Sequence, residues 1–423
     1  MRSSTRTVSL LIIATGASLL GDAALYSVLP SNYLAAGIAA TSVGLVLSAN
    51  RLIRLFTNSA VGSVIDRTGR RRPFMLGMIL AVLSTMGYSF SHSLAVLLSA
   101  RLVWGIAWSL VAVSGHSMIL DLSSPTDRGR LVGTYRGLTF LGGSFGMLAG
   151  GVLSDSLGFH PTFLILGLAT GIGLAASMGL QETRPSSPAD PCHSAAAPPS
   201  HTQPSTSEST LTKGSPRDRR LWIAAALNLV SRFFLSGVMV STLGRYIDDL
   251  MITWPAGAGL SLGTASLTGM LLFLRSLLSI GSAPAFGHLA DRSGSRFWVM
   301  LVGLALGVAG FGSLALSTGL WTILIGVILT ALSDSALPTA AAAWVGDFTA
   351  EDRRGAAVGL YATIGDVGAG LAPLTAYSAA SAWGLDTVYT VCAAALLISL
   401  LTLAWVVRRR PFSIDRPPRT TII

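Results

Sequence analysis

Twelve apolar runs separated by polar loops leave this chain little choice of environment. They cover residues 8–29, 41–65, 73–90, 94–120, 131–153, 161–179, 221–243, 262–289, 297–316, 321–345, 356–379 and 386–407. About 20 apolar residues make one helical span of a bilayer, and glycine and proline inside such runs are tolerated there. Only 11% of the 423 residues are charged, against roughly 25% in a soluble domain, so the charges are too few to cover a water-facing surface. Mean hydropathy is +0.63. The first run follows Arg2 and Arg6 as a signal peptide would, but its length of about 22 residues exceeds the roughly 7–15 of a signal core. It is read as a retained first helix. The expectation is an all-α integral membrane protein with twelve transmembrane helices.

A net charge of +10 raises nucleic acid as a partner, but the basic residues sit in short loops between spans. Arg67, Arg70, Arg71, Arg72, Arg128, Arg130, Arg292, Arg296, Arg353, Arg354 and Arg408 to Arg410 fall on one side, and Arg245 falls on the other. Cytoplasmic loops of membrane proteins carry this excess. Both termini are therefore expected in the cytoplasm, and the charge is assigned to topology, with the lipid bilayer as partner and no nucleic acid. Cys192 and Cys392 have no CxxC spacing, which supports neither a disulfide framework nor a metal site.

Residues 181–220 are polar and rich in Pro, Ser and Ala, a composition that cannot bury a core. They divide the chain into a first six-helix bundle (1–180), a flexible cytoplasmic linker (181–220), a second bundle (221–410) and a cytoplasmic tail (411–423). The halves are related. Gly62, Asp66, Arg67, Gly69 and Arg71 match Gly287, Asp291, Arg292, Gly294 and Arg296 at an offset of 225 residues. Asp121, Arg128, Gly129, Gly133 and Tyr135 match Asp347, Arg354, Gly355, Gly359 and Tyr361 at an offset of 226. Duplicated halves with a midplane site between them are a transporter architecture.

The run Gly62-x-x-x-Asp66-Arg67-x-Gly69-Arg70-Arg71 resembles the loop signature of the major facilitator superfamily, and Arg101 with Gly105 resembles its span-four arginine motif. Gly142, Gly146, Gly150 and Gly151 resemble the antiporter motif in span five, except that Met147 replaces its proline; Pro373 stands at the matching place in the second half. Leu20-Gly21-Asp22 through Pro30 resembles the span-one pattern of the twelve-span drug–proton antiporters. The resemblance implies two pseudo-symmetric six-helix bundles in a bacterial inner membrane. It further implies a secondary transporter of a small-molecule substrate that works as a monomer, without cofactor or metal, on the proton gradient. It also implies that the Asp66 loop and its second copy latch the cytoplasmic side. A purely topological anchor is the other reading of that loop.

The intramembrane charges are Asp22, Arg51, Arg54, Arg101, Arg136, Arg232, Arg275, Asp334 and Asp366. Each costs roughly 2.5–3.5 kcal/mol facing lipid near the bilayer centre, so they must face one another, water or a substrate. Spacings of three and four set Thr15, Ser18, Asp22 and Tyr26 on one helical face, Arg51, Arg54, Asn58 and Gly62 on a second, Asn228, Arg232 and Ser236 on a third, and Thr330, Asp334 and Pro338 on a fourth. These faces are expected to line an aqueous central cavity. Asp22, Asp334 and Asp366 are candidate proton carriers, with Asp22 first. Bases outnumber acids, which favours a substrate with an anionic group. Trp104 and Trp108 share a face with Arg101, placed either to stack a planar substrate or to pack. Gly142, Gly146 and Gly150 share a face suited to close helix packing or a hinge. No HExxH or GxxxxGK[ST] run occurs, so an enzyme or an ATP-driven pump is not expected. Proton-coupled export is the leading reading, and import of an organic anion or nutrient by proton symport is the alternative.

Overall fold

The structure, a computed structural model, describes residues 2–124, 127–183, 219–250, 263–292, 295–349 and 354–409. Gly294, Arg353, Cys192, the segment 184–218 of the expected linker and the expected tail lie outside the described residues. Among those described, twelve long helices follow one another: α1 (Arg2–Asn32), α2 (Val43–Thr68), α3 (Arg71–Ser89), α4 (Leu94–Leu122), α5 (Arg128–Leu157), α6 (Phe159–Met178), α7 (Arg219–Asp249), α8 (Thr264–Arg292), α9 (Arg296–Ala315), α10 (Leu320–Phe348), α11 (Arg354–Trp383) and α12 (Leu385–Arg409). A π turn at Phe234–Val238 interrupts α7. Ten of the helices are long and apolar enough to cross a membrane on composition alone. The other two are α2, which carries Arg51 and Arg54 mid-helix, and α3, which opens on Arg71 and Arg72.

Helices α1–α6 form one bundle and α7–α12 the other. Pairs α3–α6 and α9–α12 pack on the flanks, where Leu83, Leu168, Ile172, Trp298, Ile398 and Leu401 stay exposed, as lipid permits. The bundles meet through α1, α2 and α5 on one side and α7, α8 and α11 on the other.

That seam closes at one end only. A carbon added at Gly44, Gly151 or Gly269 would stand 2.4, 2.2 and 2.4 Å from the carbonyl oxygens of Pro373, Ala265 and Met147 of the opposite bundle. Toward the arginine-rich loops, the same carbon at Gly62, Gly129, Gly133, Gly137, Gly346 or Gly359 would meet nothing within 4 Å. Phe56, on the α2 half leading to those loops, is 76% exposed. The bundles thus touch at the end away from the basic loops and part toward them.

The repeat is visible in three dimensions. Gly158 and Gly384, 226 residues apart, both end a helix with positive φ, a backbone that glycine adopts without steric penalty. Arg70 Nε donates to Asp121 at 3.2 Å, and Arg296 Nε donates to Asp347 at 3.0 Å. This corrects the register read from sequence, which aligns Arg296 with Arg71. Asp121 and Asp347 are the fixed partners, and Arg70 rather than Arg71 makes the equivalent bond.

Candidate functional site

The intramembrane aspartates are each taken by an arginine. Asp22 on α1 pairs with Arg101 on α4, whose side chain is completely buried. Asn50 donates to the same carboxylate at 3.1 Å, and Arg101 also donates to Val46 O at 3.1 Å and to Tyr88 Oη at 3.4 Å. Asp334 on α10 pairs with Arg275 on α8 at 2.9 Å and accepts from Ser236 Oγ at 2.8 Å. Both pairs lie within a single bundle. The third, Arg54 on α2 with Asp366 on α11 at 3.4 Å, crosses the seam, and the Asp366 side chain is 38% exposed against 14% for Asp22 and 13% for Asp334.

Irregular backbone supplies further partners. Proline has no N–H to offer the carbonyl four residues back, so Pro373 frees the oxygen of Ala369. Arg51, from the other bundle, donates to it at 3.1 Å. Leu374 N–H bonds Ser48 Oγ across the same seam at 3.0 Å. The π turn, a form common at functional sites, presents Leu235 O to Arg275 at 2.8 Å. Tyr26 is buried, with its ring 5.7 Å from the guanidinium carbons of both Arg51 and Arg101.

Three expected residues stand apart. Trp104 is 1% exposed, stacked on Trp108 and packed with Ala81, Ala107 and Leu19, so packing rather than stacking a solute occupies its ring. Arg232 on α7 is half-buried, its stem lies against Gly365, and no carboxylate among the described residues pairs with it. Arg136 is exposed on α5 near the basic end.

The basic-end loops pair within their own bundles. Gly69, at φ +87°, turns the chain into α3. Glu182 then accepts from the backbone N–H of Arg70 at 2.9 Å and of Arg71 at 3.1 Å, an acidic cap on a helix N-terminus. Arg71 also reaches Met178 O at 3.1 Å. Asp66, Arg67 and Arg292 are exposed, while Asp291 pairs with Arg296. Gly287 is loosely packed: a carbon added there would stand 3.7 Å from Thr339 Cγ2. With this end open, the described ion pairs of the two loops do not bridge the mouth.

On α5, carbons added at Gly142, Gly146 and Gly150 would stand 2.4–2.7 Å from Gly16, Leu20 and Ala24 of α1, so these glycines bring two helices of one bundle together, whereas Gly151 faces the other bundle. Four residues on, Asp155 accepts the Ser266 N–H at 2.7 Å. It caps α8 from the opposite bundle. Sequence reasoning missed Asp155, Asn50, Tyr88 and Glu182. An acid four residues past the glycine face was the available signal for Asp155, whereas Glu182 was hidden in a stretch whose composition reads as linker.

The family model of the Major Facilitator Superfamily matches residues 11–247 and 221–421. The human chromaffin granule amine transporter is 32% identical over 127 residues, 30% of this chain and 24% of that protein. The probable vesicular acetylcholine transporter-B of Danio rerio is 30% identical over 138 residues, 31% of this chain and 27% of that protein. The chain thus spans about a quarter of the length of the curated relatives it matches. Among solved structures, the bacterial homologue of the human lysosomal transporter Spinster, inward-facing and occupied, matches with a TM-score of 0.77 at 14% identity over 99% of both chains. The human organic anion transporter MFSD10 (TETRAN) matches with a TM-score of 0.62 at 20% identity over 95% of this chain and 99% of that one. At those identities the structures establish a shared fold.

Proposed function

The chain belongs to the Major Facilitator Superfamily and is a multi-pass secondary transporter rather than an enzyme, and from that premise we propose that it exports a small organic solute in exchange for protons. The two bundles rock about the seam, exposing the central site first to one side and then to the other. The basic end faces the cytoplasm, as do both termini, and the monomer is the working unit in a bacterial inner membrane. The positive-inside bias supports this orientation.

One observation carries the proposal: the seam is closed at one end and open at the other, with the Arg54–Asp366 pair across it. The two pairs within single bundles travel as rigid parts, so nothing obliges them to break as the bundles move. The cross-seam pair changes as the bundles part. Asp366 is therefore assigned the coupling proton ahead of Asp22, which serves the first bundle's interior. Names among the relatives point to amines and among the fold neighbours to organic anions; a small organic molecule is the class common to both.

In proteoliposomes with an imposed pH gradient, solute should move against the direction of proton flow. Asp366→Asn should reduce gradient-driven flux on the order of tenfold or more while leaving solute exchange without a gradient in place. Gradient-driven flux unchanged in that variant removes Asp366 from the role. Met147, in place of the antiporter proline, favours a second reading as a proton symporter, which solute moving with the protons would establish.

A further inference from the structure

We propose that an apolar cleft between α7, α11 and α12 is a binding site for one acyl chain of a membrane lipid, and that the chain braces the π turn of α7. The site lies on the outside of the second bundle and does not depend on the direction of transport.

Small residues and an irregular helix make the cleft. At one level α7 and α11 touch closely: a carbon added at Gly237 would stand 2.2 Å from Ala372 Cβ. One turn further along, α11 offers only Ala376 and Ala379 on the face that continues to Trp383, and the π turn carries an extra residue into α7. The helices part there and leave a space of about 160 Å³. Val238, Ala376, Val388 and Cys392 form its floor and are 1–6% exposed. Trp383 and Val391 form its mouth, at 68% and 54% exposed. Thr375 brings a hydroxyl to the lining, but donates it back to Leu371 and Ala372 of its own helix at 3.1 Å. The lining therefore has no side chain to hold water or a lipid headgroup.

The surroundings select the occupant. Both α11 and α12 are long and apolar enough to cross a membrane. The mouth runs on into the exposed face of α12, where Ile398 and Leu401 follow Val391 at helical spacing. What meets that face is hydrocarbon. Trp383 and Gly384 close α11 at the end away from the basic loops, where tryptophan rings favour the headgroup boundary. The cleft thus opens to the leaflet on that side. An apolar cavity of about 150 Å³ takes a benzene-sized group, so this one takes roughly six carbons of a chain. In lipid the hydrophobic effect does not pull the chain in. Contact does, because an empty cleft forfeits the dispersion attraction of its lining and a flexible chain restores it. In the same π turn, Leu235 O holds Arg275 at 2.8 Å and Ser236 Oγ donates to Asp334 at 2.8 Å. A chain packed on Phe234 and Val238 stiffens the turn that positions the second bundle's ion pair.

The test reconstitutes the purified full chain in dioleoyl phosphatidylcholine vesicles containing a trace of a phosphatidylcholine with a diazirine in one chain. After irradiation, adducts are mapped by peptide mass spectrometry. They should reach the floor residues Ala376 and Cys392, which a chain sliding over the surface cannot touch. Ala379→Phe fills the cleft from a half-buried position. It should cut floor adducts on the order of tenfold and leave those at Ile398 and Leu401 unchanged. Val391→Trp, at the exposed lip, should do the same, and it serves where Ala379→Phe does not fold. Amide exchange across residues 234–238 should slow when the phosphatidylcholine is returned to delipidated wild type, and should not slow in the variants. Adducts confined to exposed residues, floor adducts equal in wild type and a folded variant, or exchange that ignores the lipid would overturn the site. Floor adducts lost wherever cross-linking traps dimers would assign the face to a second copy, which overturns the lipid as its occupant.

Discussion

Arg101→Ala should destabilise the protein by about 3–5 kcal/mol, the loss typical of truncating one partner of a buried ion pair. The guanidinium has no exposure, and it serves three acceptors on three different helices: Asp22 on α1, Val46 O on α2 and Tyr88 Oη on α3. Removing it leaves the Asp22 carboxyl group with Asn50 as its one remaining donor among the described residues and opens a void at the junction of the first bundle. Denaturant or thermal unfolding of the purified protein reads the loss directly. Asp22→Asn should destabilise as well, since it strands the buried cation, whereas Asp366→Asn should leave stability within about 1 kcal/mol, the Asp366 side chain itself being 38% exposed. If Arg101→Ala unfolds at the wild-type temperature, Arg101 is not the keystone of the first bundle.

The second large effect falls on motion rather than on folding. Gly151→Val should hold the closed end apart. The added carbon would stand 2.2 Å from the backbone oxygen of Ala265, and no side-chain rotation relieves a clash with backbone. Overpacking of this kind costs about 1–3 kcal/mol, and here the protein can escape it by separating α5 from α8. A bias of that size shifts the population of the two end states by about 5–150-fold. Spin labels at Leu34 and Leu316, both exposed at the closed end, should report a longer distance, and net transport should fall with it. The control is Gly146→Ala, which would strike Leu20 O at 2.4 Å inside the first bundle. It should lower stability without lengthening the label distance. An unchanged distance in Gly151→Val would show that the seam is not the moving part.

Much of this was legible in the sequence. Spans, halves and the repeat follow from apolar run lengths and offsets, because lipid imposes them regardless of detailed packing. The inward convergence of Asp22, Arg54, Arg101, Arg275, Asp334 and Asp366 follows from the penalty of facing lipid. The identity of each partner was not legible. Helical phase says which face a residue occupies and not which helix stands opposite, so Arg101 could not be told from Arg51 as the partner of Asp22. Trp104 shares Arg101's face in projection yet sits where α1 and α3 close over it. Backbone acceptors are hidden most deeply. Ala369 matters only because Pro373 follows four residues later, and Leu235 only because α7 widens into a π turn that its composition does not announce.

The trans cap on α8 has an energetic consequence. Asp155 satisfies a helix end belonging to the other bundle, and Ser48 and Arg51 satisfy backbone groups on either side of Pro373 within α11. When the closed end parts, water can take each of these places, so little enthalpy separates the shut seam from the wet one. A proton moving down one pH unit delivers about 1.4 kcal/mol. A seam fastened by exchangeable polar contacts is poised on that scale, where a modest gradient suffices to tip it, and where a tighter, fully apolar seal would stall the cycle.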